Sequence, residues 1–262
     1  MIKNEITQGF IEKIKKESSY RKPITDEAIK FLIKNFPNNY KKLEYKKTIN
    51  QPLDVALNFF EGYNKKYYEI LKGGLENKTI IISNEIKFKS KLDIQTGVST
   101  ISLKNDDEDV FLIIHELAHY LDFTQKILPK GYSFLCEIIS YYIEKAFSKK
   151  YIEKYESIIK IRNNNRAFNE CQMLKAIEYE FYYENLYKQQ HQINNSDINI
   201  DKVKYIFRYK SDNTINYLLR YFIGDIISNY MIINNIGIDN NTYKEILKID
   251  FFEAMNLFFM HK

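Results

Sequence analysis

At 262 residues the chain can bury a substantial core, as one domain or as two closely packed lobes. Its 39 basic and 34 acidic residues leave a net charge of +5, with lysines spread among acids, which argues against a nucleic-acid-binding face. There is no run of about 18 apolar residues to span a membrane and no signal-peptide core at the N-terminus, so a cytoplasmic protein without a membrane partner is expected.

Glycine and proline are scarce, at 8 and 4 residues, which favours helices. Residues 5–18, 24–36 and 53–72 carry apolar positions at three- and four-residue spacing. The first quarter therefore reads as helical, with Gly73-Gly74 as its end. β-Branched, partly alternating segments follow at 79–83, 85–89 and 99–103, predicting two or three strands. Acids Asp106, Asp107, Glu108 and Asp109 then precede the apolar run Val110–Ile114. They predict a helix beginning near Asn105 or Asp106, because carboxylates cap free N–H groups and suit the positive end of the dipole. Leu128-Pro129-Lys130-Gly131 reads as a turn. Helical patterns resume near Tyr132 and continue to the end, with polar breaks at 162–166, 190–201 and 234–241. The expected fold is mainly α with a small β-sheet (α+β). Residues 1–75 form a helical region and 76–262 the core, or the whole forms one compact domain.

The chemistry sits on the helix that follows the strands. His115-Glu116-Leu117-Ala118-His119 places two imidazoles one helical turn apart on one face. Two histidines so held can bind one Zn²⁺, and the adjacent glutamate can take a proton from water activated there. Burying two histidines and a glutamate on an otherwise oily helix is costly without a partner, and a metal supplies one. A catalytic zinc site needs a third protein ligand. Glu137 is a candidate if the turn at 128–131 folds the next helix back. Asp122, seven residues beyond His115, is a competitor as ligand or as a hydrogen-bond acceptor for a histidine. His191 and His261 read as surface residues. Cys136 and Cys171 have no metal-type spacing and read as buried thiols of a reducing compartment.

The stretch from Asp109 to His119 resembles the signature helix of the oligopeptidase F and thimet oligopeptidase family of HExxH zinc peptidases. Tyr132–Glu144 is similar to the family segment with a Glu-x-x-Ser core, which assigns the third ligand to Glu137 and puts Ser140 and Glu144 on its helix. Ala176–Glu184 is similar to a helix packed behind the family's site. The resemblance implies a zincin-like core with an HExxH helix and a following Glu-bearing helix. It implies a zinc metalloendopeptidase acting on oligopeptides, with His115, His119 and Glu137 on Zn²⁺ and Glu116 as general base. Family members are much longer and use a downstream histidine followed by closely spaced tyrosines to hold the oxyanion. Here no histidine stands in that region, so the implied donors are Tyr217 or Tyr221. Two other readings use the same helix: a lethal-factor-like or regulatory protease acting on one protein partner, and a catalytically weakened zinc-binding module.

Overall fold

The computed structural model describes residues 2–260 apart from 38, 86–89, 130–134, 192, 194, 195, 197, 210, 212 and 240, with residues 2–4 as backbone alone. Helices α1 (Ile2–Glu17), α2 (Asp26–Asn35), α3 (Pro52–Tyr63) and α4 (Lys65–Glu76) lead into strands β1 (Ile80–Ser83), β2 (Lys91–Asp93) and β3 (Val98–Ser102). Then come α5 (Asp109–Gln125), α6 (Cys136–Lys150), α7 (Ile152–Lys188), α8 (Ile200–Phe207), α9 (Thr214–Ile233), α10 (Thr242–Ile246) and α11 (Phe251–Met260). The fold is mainly helical with one small sheet, as expected. No described helix is long and apolar enough to cross a membrane.

The chain forms two compact units, each assembled from separate stretches: Met1–Tyr40 with Ala167–Phe222, and Lys41–Arg166 with Ile223–Lys262. The boundaries fall after Tyr40, in the segment between α2 and α3, and inside α7 and α9. In the first unit, Phe10 of α1 stacks on Tyr179 and meets Tyr183 edge-on, at 5.9 and 5.5 Å between centroids. Buried glutamates on the same elements are matched by lysines, Lys22 to Glu184 at 2.8 Å and Lys13 to Glu17 and Glu180.

The second unit is organised around α5, which packs against α3, α4, α6 and the sheet. An aromatic column joins three of these helices: Phe59 and Phe111 each meet Phe147 edge-on, at 5.4 and 5.5 Å. The sheet order is β1-β3-β2, with β1 parallel and β2 antiparallel to β3. Such burial leaves α5 a single open stripe. From Asp109 to Leu121, only Leu112, His115, Glu116 and His119 are not fully buried. These positions follow the three-to-four-residue repeat of one helical face.

Several expectations are corrected. Gly73 and Gly74 lie inside α4. A Cβ on Gly74 would come within 2.6 Å of Ile80 Cδ1 and 3.0 Å of the Tyr120 hydroxyl, so this glycine serves packing and ends nothing. The stretch 53–72 is two helices rather than one, divided at Asn64, whose side chain caps α4 through the Tyr67 N–H. The polar residues 162–166 lie inside α7. The strand β2 was not foreseen, because Lys-Leu-Asp carries little apolar signal; of the expected strand 85–89, residues 86–89 lie outside the described ones, as do Lys130 and Gly131 of the expected turn.

The acids ahead of α5 also act otherwise than expected, since α5 starts at Asp109. Asp109 accepts from the N–H groups of Lys104 and Asn105, at 2.7 and 2.8 Å. The buried Asp107 accepts from Thr48 N, Thr48 Oγ1 and Ile49 N, at 2.7, 2.8 and 2.8 Å. The acids thus tie the incoming chain and a distant segment to the root of the helix. Asp107→Ala removes the acceptor of two backbone N–H groups on partly exposed residues. At about 1 kcal/mol for each hydrogen bond lost, denaturant unfolding should show a loss of roughly 1–3 kcal/mol, most of it absent in Asp107→Asn.

Candidate metal centre

Helices α5 and α6 bring three side chains together. His115 Nε2 lies 3.2 Å from Glu137 Oε2, and His119 Nε2 lies 3.6 Å from the same oxygen. The two Nε2 atoms are 3.1 Å apart. These donor atoms could hold a metal ion, all lying within 4.8 Å of one another. Glu137 sits in the first turn of α6 and is buried, whereas the two imidazoles are partly open on the stripe of α5.

Behind His115 stands a second carboxylate. Its Nδ1 is 2.7 Å from Glu144 Oε1, one of the most buried acids in the chain. Arg162 grips Glu144 with two donors, Nε to Oε2 at 3.0 Å and Nη2 to Oε1 at 3.1 Å, and Arg166 Nη2 adds a bond of 2.5 Å to Oε2. Burial alone would raise this carboxyl, but the two guanidiniums and His115 hold it well below the usual range. An ionised carboxylate only accepts hydrogen bonds, so His115 Nδ1 carries the proton and Nε2 is aimed at Glu137 and His119.

The same logic sets the other groups. Burial disfavours the His115 imidazolium, but hydrogen bonds and charge from Glu137 and Glu144 outweigh it and raise the pKa to about 10. Burial raises Glu137, and His115 and His119 pull it well below the ordinary value. A cation at the three donors competes with the Nε2 proton, which couples metal binding to pH.

The remaining candidates are placed as follows. Glu116 is half-buried on the stripe beside His115, and among the described residues its carboxylate takes no hydrogen bond or ion pair. Asp122 is not among the three converging donors; its Oδ1 accepts from Leu128 N at 2.8 Å and closes the end of α5, where Lys126 is left-handed. Burial lifts its pKa to about 6. Ser140 is fully buried on α6. Tyr217 and Tyr221 belong to the first unit, their hydroxyls 3.3 Å apart with Arg220 donating to Tyr221 at 2.6 Å. The stretch 176–184 lies in α7, also in the first unit. His191 is exposed, and His261, with Tyr132–Phe134, lies outside the described residues. Cys171 is buried and Cys136 only partly so.

Sequence reasoning missed Arg162 and Arg166. The signal available was their four-residue spacing, which puts both on one face of a helix, but clustered Arg and Asn looked like a break. Comparison with protein families, with characterised proteins and with solved structures finds no match to the chain.

Removing the Glu144 charge takes from two guanidiniums their nearest carboxylate and leaves each a more distant one, Glu108 and Asp225 at 3.4 Å. In the metal-free protein, Glu144→Gln should lose about 3–5 kcal/mol at pH 7, the range for breaking a buried ion pair. Because the folded pKa is depressed, this contribution is complete above the unfolded carboxyl's pKa of about 4.3 and fades as pH falls toward the folded value. Unfolding free energies of wild type and variant should differ clearly near pH 6 and converge as pH falls through the acid range. A gap that stays unchanged down to about pH 3 contradicts the assignment.

Proposed function

We propose that the chain is a zinc-dependent metallopeptidase with a zincin-like core, of the kind its resemblance to the oligopeptidase F family implies. The observation that carries this reading is the meeting of His115, His119 and Glu137 with Glu116 beside them on the one open stripe of α5. Two imidazoles and a carboxylate are the donor set of many catalytic zinc sites. Donors about 2.0–2.1 Å from a tetrahedral ion lie roughly 3.3 Å from one another, and the observed separations of 3.1, 3.2 and 3.6 Å bracket that value.

His115, His119 and Glu137 would hold the ion. Zinc bound there supplies a Lewis acid that brings the pKa of water from 15.7 toward roughly 7. Glu116 accepts the proton of the attacking water and passes it to the leaving amine. Glu144 keeps the Nδ1 proton on His115, so that Nε2 offers its lone pair. β1 and β2 are outer strands of the described sheet, and an extended peptide can add to such an edge through main-chain hydrogen bonds.

Metal analysis of the purified protein should give one zinc per chain, and a chelator should abolish cleavage of unstructured peptides. Glu116→Gln should retain zinc and lose about 10²–10⁴-fold in rate, whereas His119→Ala should lose the metal. Undiminished turnover by Glu116→Gln would sink the mechanism. Hydrolysis of several unrelated peptides supports an oligopeptidase. Cleavage of a single protein partner points to a regulatory protease, and bound zinc with no hydrolysis to a binding module.

A further inference from the structure

One short stretch of α9 braces α6, which supplies Glu137, and reaches His115 of α5 through intermediate side chains. Gly224 is the first contact. A Cβ there would lie 2.6 Å from Glu137 Cβ, 2.9 Å from Tyr141 Cδ2 and 3.1 Å from the Glu137 carbonyl carbon. Two of those three atoms belong to the root of Glu137 and cannot rotate away, so only glycine lets α9 come this close beneath the third ligand.

Asp225 is the second contact. Its Oδ1 takes Lys145 Nζ of α6 at 2.7 Å and Arg166 Nη1 of α7 at 3.4 Å. The same ammonium reaches the Asp225 carbonyl at 2.6 Å and Ser228 Oγ at 2.8 Å. Arg166 carries the connection onward in two directions. It bonds Glu144, which holds His115, and its guanidinium covers the Tyr141 ring at 4.4 Å. That ring lies edge-on to His115, 5.6 Å between centroids. Each path from this stretch therefore ends at Glu137 or at His115.

We propose that Gly224 and Asp225 are positioning residues of the metal centre. Gly224 sets the depth of Glu137. Asp225, through Lys145 and Arg166, sets Glu144 and with it the ring of His115. The proposal rests on the reading of His115, His119 and Glu137 as metal ligands. Ligands must be held within about 0.5 Å to suit a metal, and the two ligand helices need a third element to keep their separation.

The test compares Gly224→Ala and Asp225→Asn with wild type and with Gly73→Ala, a helical glycine whose added Cβ meets nothing within 4 Å. Zinc affinity is read by chelator competition, ligand geometry by the visible spectrum of the cobalt-substituted protein, and folding by denaturation of the metal-free form. Gly224→Ala and Asp225→Asn should each weaken zinc about 10–100-fold, the usual effect of losing outer support, and shift the cobalt bands. Gly73→Ala should alter neither. Wild-type affinity and bands in the folded variants overturn the proposal. If Gly224→Ala does not fold, the near-isosteric Asp225→Asn decides alone. A wild-type protein that takes up no metal overturns the metal-centre reading itself, an outcome distinct from variants that bind as wild type does.

Discussion

A carboxylate shut away from water must find its counter-charges inside the protein, and Glu144 is the acid on which this site turns. Its side chain is 1% exposed, and it meets two guanidiniums and one imidazole. Isolated, such a charge would protonate rather than stay ionised. With Arg162 and Arg166 in place it stays an acceptor, and that decides which nitrogen of His115 bears hydrogen. The surroundings are balanced in sign: Lys145, Arg162 and Arg166 are paired with Glu108, Glu144 and Asp225. The three donors can therefore face a cation with the charges behind them paired off.

Much of the second unit follows from delivering this arrangement. A helix with two histidines can be buried nearly all round only if their polar edges are collected on one narrow stripe. The apolar residues between them, Leu117 and Ala118, are fully buried, as are Ile113 and Ile114 on the turn before. The sheet and α3 close one part of α5, while α6 closes another and brings Glu137 with it. The root of α5 is held by Asp107 and Asp109 through backbone N–H groups of segments before it, so the helix that carries the donors is fixed at its start as well as along its sides.

What was legible in the sequence depended on whether a residue's role was local. The helical periods of the first quarter, the strands near 80 and 100, and the His-x-x-x-His spacing are set by neighbours in the chain, and they could be read. Glu137 was reachable because its helix follows directly and a family likeness pointed to it. Arg162, Asn165 and Arg166 were misread because polarity inside a helix normally means solvent or a break. Here the partners are distant: Asn165 bridges Leu43 N and O at 2.7 and 2.8 Å, and the arginines serve Glu144. Gly74 was misread for the complementary reason, since a glycine required by a neighbour's approach looks in sequence like one required by a turn. Two of the three unit boundaries were illegible because α7 and α9 run through them.

The three donor atoms stand close enough together to hold a metal ion, which histidines that merely satisfy a core need not do. A core histidine gives each buried nitrogen one complementary partner, a donor against an acceptor. At this site the second nitrogen of each ring and a carboxylate oxygen all converge within 3.6 Å. With the His115 ring neutral and its hydrogen on Nδ1, its Nε2 and the Glu137 oxygen both present lone pairs, which a proton on His119 Nε2 or a metal ion can satisfy. The proton satisfies one pair at a time, because it lies on a line between two atoms. A cation held by His115, His119 and Glu137 would satisfy all three together, on the face of α5 that also carries Glu116.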